Sequence, residues 1–155
     1  MENSYNYDYD INYILIGDKF VGKTQLILRF VNDKFFDFYL PNQHSDFFKK
    51  KLKIDDKIIR LTIFDTLGDE NCFPSPIEKI VACVIFVYDI NDKESFENIP
   101  KYLEKSQKNH NNKLIFKVLV GNKSDDNENR QVEEEEGNRF ATDNHMLFFE
   151  TSVKC

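Results

Sequence analysis

The sequence predicts an α/β domain: a mostly parallel six-stranded sheet with one antiparallel edge hairpin and helices on both faces. Three observations carry that expectation. Short, β-branched apolar runs alternate with segments of helical period. One pair of runs is separated only by Asp55-Asp56-Lys57, and Gly17-Asp18-Lys19-Phe20-Val21-Gly22-Lys23-Thr24 fits G-x-x-x-x-G-K-[ST] where a strand gives way to a helix.

Residues 1–11 are polar and tyrosine-rich without periodicity, and are expected to form a loose arm. Residues 12–155 are expected to form a single domain, because a chain of 155 residues supports one core but not two. Tyr13-Ile14-Leu15-Ile16 marks a first strand over 12–16, and Leu26, Ile27, Phe30 and Val31 mark one face of a helix over 23–32. Between them the glycine-rich loop turns successive backbone N–H groups toward an anion, and the positive end of the helix dipole adds to the field. Lys23 is then placed to bridge β- and γ-phosphates and Thr24 to offer a hydroxyl to Mg²⁺, which makes the fold one of P-loop NTPase type.

Strands follow at 46–54 and 58–65, joined too closely for anything but a hairpin. Lys49-Lys50-Lys51 on the first of them suits an exposed edge, where lysines deter edge-to-edge pairing, better than a docking patch. Pro74 and Pro76 break a short helix near 74–80. Strands at 81–88, 114–120 and 146–150 then alternate with helices at 95–108 and 133–144, and Glu133 to Glu136 complement the dipole of the last helix. Every motif with chemical content falls at the C-terminal end of a strand, which is where such sheets bind ligands.

A formal charge of -6 and a sequence pI near 5.1 argue against nucleic acid as a partner. The longest apolar run, Val81 to Tyr88, is less than half of the ~20 residues a membrane helix needs. No secretory pattern opens the chain, so a cytoplasmic protein is expected. Cys72, Cys83 and Cys155 show no metal-ligand spacing and are read as reduced thiols.

Asn122-Lys123-Ser124-Asp125 follows Val118-Leu119-Val120-Gly121, placing a polar tetrapeptide at the mouth of a buried strand. A carboxylate accepts two parallel hydrogen bonds from the N1–H and N2 amine of guanine, an arrangement adenine does not offer. Asp125 is the candidate for that contact. Alone, the tetrapeptide reads as an Asx turn; a hundred residues after a phosphate loop it reads as a base-recognition loop.

With these motifs the chain resembles the Ras-like small GTPases, and within them the Rab branch, from Tyr13 to Lys154. Asp65-Thr66-Leu67-Gly68-Asp69-Glu70 is similar to the family's D-T-A-G-Q-E, and Glu150-Thr151-Ser152-Val153-Lys154 to its E-T-S-A-K. The segment from Tyr88 to Phe96 resembles the Rab-type Y-D-I-T-x-x-x-S-F, and Asp46-Phe47 and Ile63-Phe64-Asp65 echo two strand signatures. The resemblance implies a GTP/GDP switch with Mg²⁺, acting in vesicle trafficking and protein transport. It implies that residues 17–24, including Asp18, Phe20 and Val21, wrap the phosphates. Asp65 holds Mg²⁺ through water, and Gly68 approaches the γ-phosphate with its N–H. Asn122 braces base loop against phosphate loop, Lys123 lies along the purine, and Ser152, Val153 and Lys154 close the base pocket. Effector, exchange-factor and activating proteins are implied at residues 39–47 and 65–76.

Departures from the family pattern bear on mechanism. Asp69 stands where a glutamine orients the attacking water; an anion there offers no hydrogen bond to the phosphoryl oxygens and repels their growing charge, so slow hydrolysis is expected. Lys19 replaces a small residue and obstructs the same space, or pairs with Asp69 across the γ-phosphate. Asn42 falls where a threonine hydroxyl ligates Mg²⁺, His44 replaces a glycine, and Pro41 stiffens the approach, so a weakened distinction between GTP and GDP states is expected. The family continues past E-T-S-A-K with a helix and a prenylated tail. The sequence here stops at Cys155, so that helix is expected to be missing and apolar sheet surface uncovered, unless something else covers it. Neither C-a-a-X nor a polybasic run supports lipid anchoring, leaving attachment to endomembranes to partners. Two alternatives stay open beside the switch: a non-cycling nucleotide-bound interaction module or degenerate relative, and, disfavoured by Asn122 to Asp125 and by the missing lid segment, an ATP-using kinase.

Overall fold

The computed structural model describes residues 7–32, 47–68, 80–109 and 115–154. Its elements run β1 (Tyr9–Ile16), α1 (Lys23–Asn32), β2 (Phe47–Ile54), β3 (Lys57–Phe64), β4 (Cys83–Asp89), α2 (Lys93–Glu97), α3 (Ile99–Asn109), β5 (Phe116–Asn122), a single 3-10 turn (Asn127–Asn129), α4 (Glu134–Asp143) and β6 (Leu147–Thr151). The strands form one sheet in the order β2-β3-β1-β4-β5-β6, antiparallel only between β2 and β3, as the sequence predicts.

Alternation along the strands produces two cores. Leu15, Leu61, Ile63, Val87 and Val120 pack with Val21 and Ile27 on the α1 side. Ile14, Ile16, Val84, Phe86, Tyr88 and Leu119 pack on the other side against Phe96, Ile99, Tyr102, Leu103, Ala141 and Met146 from the segments of α2, α3 and α4. On the α1 side near β5 and β6, Phe116, Leu147 and Phe149 remain exposed, an apolar strip that none of the described helices covers.

Three expectations need correction. The first strand begins at Tyr9, inside the stretch read as a loose arm. Polar residues hold it there by pairing sideways: the Asp8 N–H donates to the Ile58 carbonyl at 2.7 Å, and the Asp10 carboxylate takes two hydrogen bonds from Arg60. The single helix expected over 95–108 is two helices. Asp92 caps the first by accepting from the Glu94 and Ser95 N–H groups, and Asn98 ends it. Lys57 belongs to β3, so Asp55 and Asp56 alone make the hairpin turn, with Asp55 at φ 51° in the left-handed region aspartate tolerates. The helix near 74–80 lies outside the described residues except at Ile80, which is in a turn.

Candidate functional site

The C-terminal ends of β1, β3, β4, β5 and β6 bring the predicted residues together. Gly17 follows β1, Asp65 follows β3, Asn122 closes β5 and Ser152 follows β6. Two glycines owe their identity to close approaches in this cluster. Gly22 sits at φ 100°, and a Cβ there would lie 2.3 Å from Asn122 Nδ2. Gly68 sits at φ 77°, and a Cβ would lie 2.5 Å from the Lys19 N and 2.9 Å from the Asp18 O, so its backbone presses directly on the loop of residues 17–24.

Inside that loop the Lys23 ammonium is buried and donates to the Gly17 carbonyl at 2.9 Å and the Asp18 carbonyl at 2.6 Å. A buried cation held at the mouth of a helix is suited to polyphosphate. The Thr24 hydroxyl donates to Asp65 Oδ2, and both residues are buried. These are hard oxygen donors of the kind Mg²⁺ selects, and with the buried Lys23 ammonium beside them the residues present fit a magnesium nucleotide.

Asn122 to Asp125 and Ser152 to Lys154 lie beside the same loop. Asn122 Nδ2 donates to the Val21 carbonyl at 2.9 Å, and its Oδ1 accepts from the Thr151 hydroxyl at 3.1 Å. Lys123, at φ 68°, pairs through Nζ with Asp89 Oδ2 at 2.6 Å. The Ser152 hydroxyl donates to Asp125 Oδ1 at 2.6 Å and accepts from the Lys154 N–H at 3.2 Å. That hydroxyl is the main reason the Asp125 carboxyl is held below the ordinary carboxylate range, with its own backbone N–H, Lys154 and Lys123 adding to it. Val153 is buried beside them. Asp69 and Asn42 lie outside the described residues, as do Pro41 and His44.

Four further residues shape the cluster without having been singled out from the sequence. Asn98 Nδ2 donates to Asp18 Oδ2 at 2.7 Å, and the Tyr102 hydroxyl to Asp18 Oδ1 at 2.6 Å. Asn98 immediately precedes α3 and Tyr102 lies one turn into it, a juxtaposition visible only once Asp18 is known to face both. Asp89, inside the segment from Tyr88 to Phe96, anchors Lys123. The Thr66 hydroxyl donates to the Leu15 carbonyl at 2.8 Å and seats the Asp65 segment on β1. Phe20, read from sequence only as a loop member, is exposed and takes φ 67°, a strained conformation for an aromatic residue.

A model of the Ras family matches residues 12–155. Over 150 residues the chain is 38% identical to the Ras-related protein Rab-13 of Rattus norvegicus and 38% identical to the Ras-related protein RABD2a of Arabidopsis thaliana, each alignment covering 96% of this chain and 73% of the relative. It is 34% identical over 151 residues to the GTP-binding protein ypt2 of Schizosaccharomyces pombe, covering 96% and 75%.

Proposed function

We propose that this chain, which belongs to the Ras family and to its Rab branch of small GTPases, works as a guanine-nucleotide switch in vesicle trafficking, with Mg²⁺ and with altered hydrolysis. The observation that carries the reading is the 2.9 Å bond from Asn122 Nδ2 to the Val21 carbonyl, which fastens the base-reading loop to the phosphate-wrapping loop. A base and its phosphates are thereby measured by one rigid body.

The roles divide by chemistry. Residues 17–24 wrap the phosphates through backbone N–H groups, and Lys23 neutralises their charge. Thr24 and Asp65 hold Mg²⁺, which shields the negative charge between the terminal phosphates, and Asn42 is the candidate third contact. Gly68 offers its N–H to the γ-phosphate. Asp125, kept ionised by Ser152, reads guanine, Lys123 lies along the purine, and Val153 and Lys154 close the pocket. Asp69 holds water less productively than the family's glutamine, because it accepts hydrogen bonds but donates none. Residues 39–47 and 65–76 meet effectors, exchange factors and activating proteins, through which the protein reaches the cytosolic face of a membrane. No described helix is long and apolar enough to cross one.

A second reading, a nucleotide-bound module that does not turn over, is favoured by Asp69 and Lys19 standing where the family has glutamine and a small residue. Binding of GTP, GDP and ATP to purified protein with Mg²⁺, together with single-turnover hydrolysis, separates these readings. Guanine-specific binding with slow turnover supports the switch, and binding without turnover supports the module. Absence of guanine binding, or guanine preference unchanged in Asp125→Ala, overturns both.

A further inference from the structure

We propose that Arg130 is a positioning residue for guanine selectivity: its guanidinium clamps the turn that follows Asp125 to the strand that ends before Ser152, and so fixes how the Asp125 carboxylate meets the base. This rests on the reading of Asp125 as the guanine contact and extends it to a residue that touches no nucleotide.

The two segments that frame the base come from distant parts of the chain. Asp125 lies two residues before the 3-10 turn Asn127–Asn129, and Ser152 follows β6 directly. They meet through the Ser152 bond to Asp125 and through the Ser124 N–H, which donates to the Thr151 carbonyl at 3.0 Å.

Arg130 makes a second tie. Its Nη1 and Nη2 donate to Glu150 Oε1 and Oε2 at 2.7 and 2.8 Å, its Nε and Nη2 to Asn127 Oδ1 at 3.1 and 2.9 Å, and its Nη1 to the Val132 carbonyl at 2.9 Å. All five N–H groups of the guanidinium are therefore used, in a planar fork that lysine does not provide. Asn127 stands two residues after Asp125 and Glu150 two residues before Ser152, so the clamp is equally near in sequence to both.

The pair is also withdrawn from water. The Arg130 and Glu150 side chains are only 14% and 13% exposed, and Glu150 stands in register with Gly121, itself in register with Tyr88. A Cβ on Gly121 would lie 2.7 Å from the Tyr88 hydroxyl oxygen, so the tyrosine ring covers the glycine between the two outer strands. A buried ion pair adds little net stability, because desolvation of two ions offsets their attraction, and an apolar pair of like volume serves as well. What the fork adds is direction. The Asp125 carboxylate recognises guanine by two parallel hydrogen bonds, from N1–H and from the N2 amine, and a small rotation keeps the first and loses the second.

The test measures GDP and inosine diphosphate affinities of the whole chain with Mg²⁺, since inosine diphosphate carries N1–H but lacks the N2 amine. The parent is expected to prefer GDP. R130K keeps a positive charge opposite Glu150 without the fork, and R130M/E150M removes both charges so that neither is left buried alone. Both are expected to lower the ratio of GDP to inosine diphosphate affinity roughly tenfold, mostly by weakening GDP, while R130M/E150M denatures in urea close to the parent. E150Q, isosteric with the parent, is expected to lower the ratio about threefold and supplies the reading should the other variants unfold. K93M/E136M, which removes the ion pair between α2 and α4, is expected to leave it unchanged. An unchanged ratio in any folded Arg130 or Glu150 variant overturns the proposal and makes Arg130 a brace of the fold alone. So does an equal fall in both affinities, or a ratio lowered as far by K93M/E136M. A parent that binds no GDP, or does not prefer it, sinks the guanine reading as well; a parent that prefers GDP beside variants that prefer it equally sinks only the clamp.

Discussion

Asp18 and Tyr102 meet at 2.6 Å, carboxylate to hydroxyl, across 84 positions of sequence, and so tie the loop after β1 to the face of α3. Asn98 adds a second donor at 2.7 Å to the other carboxylate oxygen. The carboxylate is consequently turned toward α3, where its charge is hydrogen-bonded. Removing one donor, as in Tyr102→Phe, is expected to cost about 1 kcal/mol and to speed dissociation of a fluorescent GDP analogue roughly fivefold. Asn98→Ala acts in the same direction, and the pair together act more than additively, because either donor alone still partly orients the carboxylate. Stopped-flow dissociation at fixed Mg²⁺ checks this; unchanged rates in both variants would show that α3 does not position the loop.

Asp125 and Ser152 yield a prediction in pH. The folded-state carboxyl is held below its ordinary value, so the contribution of the Ser152 bond is present above the unfolded value near ~3.9 and is lost as pH falls through the lowered folded value. In Ser152→Ala the main cause is removed, and the Asp125 titration moves up toward the ordinary range. Carboxyl-carbon NMR of the two proteins measures both titrations directly. A variant that titrates where the parent does would remove Ser152 from the account.

Gly137 gives a packing test. A Cβ there would lie 2.5 Å from the Tyr88 hydroxyl oxygen and 2.8 Å from the Phe148 ring, although alanine is the better helix former by about 1 kcal/mol. Overpacking outweighs propensity at such distances, so Gly137→Ala is expected to destabilise by roughly 1–3 kcal/mol in urea denaturation. The Tyr88 hydroxyl is buried with no hydrogen-bond partner among the described residues, and burial pushes its pKa up. Tyr88→Phe alone is therefore expected to be neutral or stabilising, and to recover part of the Gly137→Ala loss. Independent, additive effects would mean the hydroxyl is not the obstruction.

Legibility from sequence followed the range of each interaction. The phosphate loop, the hairpin and the base tetrapeptide are contiguous, so their residue types and spacing sufficed. Alternation marked the central strands, because β1 and β4 are covered on the faces their apolar residues mark. What escaped was lateral. Tyr9 and Asp10 look like an arm until Ile59 and Arg60 stand beside them. Asn98 and Tyr102 look like ordinary helix residues until Asp18 faces them. Asp92 is a helix-capping residue type, and its cap starts α2 two residues before the predicted helix, which then breaks at Asn98.

Lys19 and Asp69 carry the last prediction. The Lys19 side chain is exposed, and its backbone N is the nearest atom that a Cβ on Gly68 would meet, at 2.5 Å; Asp69 is the next residue in the chain. On this prediction both side chains act at the proposed γ-phosphate contact. An aspartate there repels developing phosphoryl charge, and a lysine there offsets it. If the two work as a pair, Asp69→Gln alone leaves Lys19 crowding the water, and Lys19→Ser alone leaves the repulsion. The double variant is then expected to hydrolyse GTP faster than the product of the single effects, by about tenfold or more. Single-turnover hydrolysis of the four proteins closes the cycle. Multiplicative effects would show that the two residues act independently.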